Sequence, residues 1–176
     1  VIGPGGPEPI ARHLVVRLSA EEAGVLKHVL AEVRQLLAGR SGAGRVEPDD
    51  PALARLLPDG YRSDPAASAE LRELIEPDLL AGKIAQADVV IEQLGGAGEG
   101  PVDVRLDDED AQAWLMTVND ARLALGTRLE VTEDMDYELE IEDAAGADPT
   151  SGRAAGLVVY HFLGVLQESL LAALIE

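Results

Sequence analysis

The chain has 176 residues, 47% of them hydrophobic but only 3% aromatic, and a formal net charge of −19 from 33 acidic against 14 basic side chains. That length makes one ordinary domain with a real core, and the apolar content is too high for a disordered chain. The charge argues against direct DNA binding, because phosphate contacts dominate nucleic-acid affinity and the basic residues form no run.

A basic protein surface is a better match to such a charge, although acidity also simply keeps a protein soluble. No cysteine is present, which excludes disulfides, thiolate metal sites and thiol redox chemistry for this chain. Nothing resembles a signal peptide and no apolar run is expected to span a membrane, so the cytoplasm is the expected location. The opening VIGPGGPEP predicts a flexible N-terminal segment over 1–11, followed by a single domain over 12–176.

The first predicted element is a strand, HLVVRL (13–18). A helix follows, in which Ser19 and Glu22 form a capping box. Val25, Leu26, Val29, Leu30, Val33, Leu36 and Leu37 recur at helical spacing, and Gly39 is the expected stop. SGAGRVEPDD (41–50) reads as a loop. Asp50-Pro51 and Asp64-Pro65 each resemble a helix N-cap with Pro in the first turn. Pro77 is expected to break or kink the second of these helices, leaving a further helix over 78–94 before the loop GGAGEGP.

After that loop the sequence repeats a phrase. Val16-Arg17-Leu18 recurs as Val104-Arg105-Leu106, Ser19 as Asp107, Glu21 as Glu109 and Ala23 as Ala111. Two strand–helix units of this kind can pair their strands in a small sheet covered by helices. Residues 130–148 alternate Met135, Tyr137, Leu139 and Ile141 with acids, while Val131, Met135 and Leu139 also fit a helix face; the alternation favours a short strand or an irregular acidic segment. AAGADPTSG reads as a loop. The last element, RAAGLVVYHFLGVLQESLLAALIE, predicts a long helix central to the core. The fold class expected is α+β, predominantly helical, with helices packed around a minor two- or three-stranded sheet.

No catalytic constellation emerges from the residue types. His13, His28 and His161 lie on different elements, and none has a helical metal spacing. The acids at 107–110 and 133–143 lack EF-hand spacing, and GGAGEG lacks the residues that complete a phosphate loop. Ser151 and Ser169 have no nucleophile-elbow pattern. No metal or cofactor is expected. A metal-dependent or small-molecule enzyme with an unrecognised acidic site is the alternative reading.

One stretch does not fit a plain apolar helix. WLMTVNDARLALGTRLEV (114–131) carries Asn119, Asp120 and Arg122 among Leu115, Met116, Val118, Ala121, Leu123 and Leu125. Leu115, Asn119 and Arg122 fall on one face, and Trp114, Val118, Ala121 and Leu125 on the neighbouring one. Buried groups of this kind must be paired. Arg62, Asp64, Gln167, Glu168 and Arg128 are the candidate partners. Two readings stand: an internal network locking three helices, favoured because buried polar networks usually specify a fold, or an exposed recognition groove.

Three stretches, RLLPDGYRSDPAASAELR (55–72), WLMTVNDARLALGTRLEVTED (114–134) and VYHFLGVLQESLLAAL (159–174), resemble the actinobacterial AosR-like family of oxidative-stress transcriptional regulators, formerly a domain of unknown function. The resemblance implies a non-enzymatic regulator that binds a sigma factor or RNA polymerase, with a homodimer also compatible. It marks Arg62, Asp64, Trp114, Asn119, Asp120, Arg122, Gly126, Thr127, Arg128 and Gln167 as family-pattern positions, serving either fold or partner. In the characterised branch a redox-active cysteine pair supplies the switch, and this chain has none.

Overall fold

A computed structural model describes residues 14–41, 50–58, 65–95, 100–147 and 152–175. The expected flexible segment 1–11 and the loop over 42–49 lie outside them. The described residues form two strands and six helices in the order β1 (Leu14–Leu18), α1 (Ala20–Ser41), α2 (Pro51–Leu56), α3 (Pro65–Gln93), β2 (Val102–Leu106), α4 (Asp108–Arg128), α5 (Tyr137–Ala147) and α6 (Arg153–Ile175). The architecture is helix-packed α+β with a two-stranded sheet.

The repeated phrase is the organising feature. β1 and β2 pair antiparallel with Val16 opposite Val104, the two residues that correspond in the repeat. Both strands bury their third and fifth positions. The helix starts correspond as well. Ser19 N donates to Glu22 Oε2 at 2.8 Å and Glu22 N to Ser19 Oγ at 3.2 Å, while Asp110 N donates to Asp107 Oδ1 at 2.9 Å. Further along, Ala23, Leu26 and Leu30 of α1 correspond to Ala111, Trp114 and Val118 of α4, and all six are buried. The two strand–helix units thus meet about a local two-fold at the sheet and share one aliphatic core. Ala20–Ser41 runs past Gly39, which does not stop it.

The Asp50-Pro51 cap forms as its sequence predicts, with Ala52 N donating to Asp50 Oδ1 at 2.8 Å. Pro77 does not break its helix: α3 runs 29 residues with Pro77 inside. Pro77 and Glu73, whose carbonyl loses its helical partner, both sit at exposed positions where water can satisfy that carbonyl. Beyond Pro77, Leu80, Ala87, Val90 and Leu94 are buried and anchor the continuation.

Two expectations in the C-terminal half are corrected. Residues 137–147 form helix α5, including Ala144–Ala147 of the expected loop, and not a strand. Asp136 Oδ1 accepts from Glu138 N and Leu139 N at its start, and Leu139 is 59% exposed, which breaks the apparent alternation. Ile141 and Ala144 instead pack with Leu129 and Leu157 in a second small cluster.

α6 is peripheral, not central. It buries Leu157, Leu163, Gly164, Leu166 and Leu170, while Val158, Val165, Leu171, Leu174 and Ile175 are exposed. By length and composition alone it is long and apolar enough to cross a membrane. The expectation that no run is so apolar fails here, because His161, Gln167 and Glu168 interrupt the run without lowering its mean enough.

Candidate functional site on helix α4

The polar residues of the quoted stretch lie on α4, between α3 on one side and α6 on the other. Each side satisfies them with different chemistry. Toward α3, Lys83 Nζ donates to both carboxylate oxygens of Asp120 at 2.7 Å. The pair is deep, with side chains 13% and 8% exposed. Burial pushes the Asp120 carboxyl above the usual aspartate range, and the neighbouring Lys83 pulls it back only in part. Trp114 Nε1 donates to Gln93 Oε1 at 2.6 Å, and Gln86 Nε2 donates to Met116 Sδ at 3.5 Å. These three contacts run along one antiparallel seam.

Toward α6 the partners are neutral. Arg122 Nη1 donates to Gln167 Oε1 at 3.0 Å, and Gln167 Nε2 donates to Asn119 Oδ1 at 3.1 Å. One glutamine therefore uses both ends of its amide to join two residues of α4. The Arg122 guanidinium also lies over the Tyr160 ring, 5.0 Å from its centroid, where the ring quadrupole attracts a cation. Tyr137 of α5 stacks on Tyr160 at 5.8 Å between centroids. Its phenol is held above its ordinary pKa, first by burial and then by the adjacent Tyr160, against the opposing charge of Arg122.

Glycines set the closeness of this second seam. A Cβ on Gly126 would stand 2.8 Å from Tyr160 Cε2, and one on Gly156 would stand 2.9 Å from Leu129 Cδ2. Beyond it, α4 ends in a Schellman pattern. Val131 N donates to the Gly126 carbonyl and Glu130 N to that of Thr127. Glu130 takes the left-handed conformation, φ 54°, in which glycine is usual.

The structure thus brings Asn119, Arg122 and Gln167 together, and joins Asp120 and Trp114 to α3. Thr127 Oγ1 donates to the Leu123 carbonyl within its own helix at 2.8 Å. Arg128 and Glu168 are exposed. Arg62 and Asp64 lie outside the described residues. Among the described residues, Thr117 Oγ1 and Arg122 Nε are buried without a hydrogen-bond partner, and no three His, Asp or Glu side chains converge as a metal site would need.

Sequence reasoning missed Lys83, Gln93, Tyr137 and Tyr160. Lys83 is one of only two lysines in the chain, a scarcity that is the sole local hint of a dedicated role.

A family model described as a domain of unknown function, DUF2017, matches residues 6–174. The chain belongs to this family. Proteins named oxidative stress regulator AosR from Mycobacterium tuberculosis and Mycobacterium bovis are each 32% identical over 185 residues, covering 89% of this chain and 80% of theirs. No solved structure matches. In this DUF2017 chain, as in any protein, a shared fold is not a shared site. What the relatives' names supply is a class, that of regulators in the oxidative stress response.

Proposed function

We propose that this chain is a non-enzymatic regulator of stress-responsive transcription that works by binding a protein, a sigma factor or RNA polymerase. The observation that carries the reading is the similarity to the two mycobacterial regulators over most of both chains. The −19 charge is consistent with a partner of basic surface and opposes direct contact with DNA phosphates.

The input differs from a thiol switch. With no cysteine, peroxide should leave oligomeric state and partner affinity unchanged, apart from sulfoxide formation at Met116 or Met135. Met116 is the more accessible of the two, at 41% exposed.

The test is binding of the purified chain to purified core RNA polymerase and to individual sigma factors of the native host, before and after peroxide. The reading expects saturable binding to one of them, insensitive to reductant, and no shift of duplex DNA by the chain alone. A duplex shift without polymerase, or no binding to any of these proteins, would overturn it.

A further inference from the structure

The unburied face of α6 has the spacing of a helix-pairing seam. Ala155, Val158, Phe162, Val165, Ser169 and Ala172 follow one another at alternating intervals of three and four, the pattern by which one helix meets another. Five of the six are exposed and Phe162 is half-buried, with Val158 at 52% and Val165 at 50%. Ser169 adds no polar obstacle, since its hydroxyl donates to the Val165 carbonyl at 2.8 Å.

We infer that this stripe is the contact face of a homodimer, in which α6 lies antiparallel against α6 of a second copy. The inference is independent of which transcription protein the chain binds.

The sequence of the stripe is complementary to itself in that direction. A two-fold axis at the level of Leu163–Gly164 sets Ala155 against Ala172 of the second copy, Val158 against Ser169 and Phe162 against Val165. The small residues fall at the two ends, where they let the helices approach, and the largest side chain sits at the centre.

The flanking charges agree. His161 and Glu168, both exposed, occupy the same flanking heptad position one heptad apart, so the antiparallel pairing sets each against the other across the seam, twice. An imidazole N–H can donate to a carboxylate whether or not the ring is protonated.

Charge also selects the occupant. Two copies at −19 repel, and the stretch of α6 from Ala154 to Ile175 carries one acid, Glu168, in 22 residues, so it is where like chains can approach closely.

Further apolar surface adjoins the stripe. Phe162, Val165 and Ser169 also line a cleft of about 250 Å³ against β1, whose Leu14 and Val15 form the opposite wall. A second α6 seated on the stripe covers that cleft as well. A stable dimer needs on the order of 800 Å² from each partner, more than six seam residues alone provide.

The absence of native cysteine makes the test direct. The full chain should sediment as a dimer by analytical ultracentrifugation. Val165→Glu should raise the dimer dissociation constant by about a hundredfold with its monomer still folded by circular dichroism, because it places an unpaired charge in the seam. Val89→Glu, on the exposed side of α3, should leave association unchanged.

Orientation is read by mixing chains carrying Ala155→Cys with chains carrying Ala172→Cys. The mixture should form a disulfide-linked dimer under mild oxidation, and neither variant alone should do so. A chain that stays monomeric at about 100 µM would overturn the inference, as would efficient cross-linking of Ala155→Cys with itself. Flotation of monomeric chains with neutral phosphatidylcholine vesicles would assign the stripe to a lipid surface and overturn it equally.

Discussion

Helix α4 is held by a charged seam on one side and a neutral one on the other. Against α3, a lysine and a carboxylate compensate each other inside the protein. Against α6, a guanidinium meets an amide oxygen and an aromatic face, with its buried Nε left without a hydrogen-bond partner. The charged seam tolerates no loss of a partner, because the survivor is an uncompensated charge in a poorly solvated place. The neutral seam depends on shape: it works only because Gly126 and Gly156 let α4 and α6 approach. Failure of the first is electrostatic, and failure of the second is steric.

The largest effect should therefore come from Lys83→Met, which leaves Asp120 alone and should cost about 3–5 kcal/mol in chemical denaturation. Adding Asp120→Leu should recover most of it, since a well-packed apolar pair replaces a buried ion pair at little cost. The pH dependence carries a definite sign. A carboxyl whose folded pKa is raised favours the fold while neutral. Its contribution is whole below the unfolded aspartate value and fades as pH rises through the folded one. The Lys83→Met deficit arises from the charged carboxylate, so it should shrink on acidification through that range. A deficit independent of pH would show that lost packing, not stranded charge, is responsible.

The shape-dependent seam predicts a contrast between two helical glycines. Gly126→Ala should destabilise by about 1–3 kcal/mol, because the Tyr160 ring it meets is fixed between Arg122 and Tyr137. Gly82→Ala, on α3 with nothing within 4 Å of its added Cβ, should stabilise by about 0.5–1 kcal/mol through helix propensity. Equal effects of the two, read from thermal melts, would remove close approach from the account of the α4–α6 seam.

A gain is also expected where α4 ends. Glu130→Gly relieves a left-handed residue in the Schellman turn and should add about 1 kcal/mol. A loss would indicate that the Glu130 side chain contributes more than its backbone strain costs.

Much of this was legible in the sequence where the determinants are local. Ser19 with Glu22, and Asp50 with Pro51, announce their helix starts by their own side chains. The recurrence of Val-Arg-Leu made the strand pairing one of the readings, and in the structure both copies bury the same positions. The set Asn119, Arg122 and Gln167 was legible in part, since a polar group in an apolar helix demands a partner, and Gln167 lies in another apolar helix.

Tertiary determinants were not legible. Lys83 in GKIAQADVV has the spacing of a solvated lysine, and its carboxylate lies in another helix. Pro77 reads as a breaker by local chemistry, yet the apolar anchors that follow it hold α3 together. The apparent alternation in 135–141 misleads because Leu139 is exposed, while the Asp136 cap and the packing of Ile141 and Ala144 with Leu157 hold that segment as a helix.

The central claim is that the polar residues of α4 organise the fold through their specific partners. A double-mutant cycle on Arg122→Ala and Gln167→Ala, followed by chemical denaturation, tests it most directly. The Arg122–Gln167 hydrogen bond predicts that Arg122→Ala alone costs about 2 kcal/mol and that the pair couples by about 1 kcal/mol. Single variants of unchanged stability, or effects that add within about 0.3 kcal/mol, would contradict it.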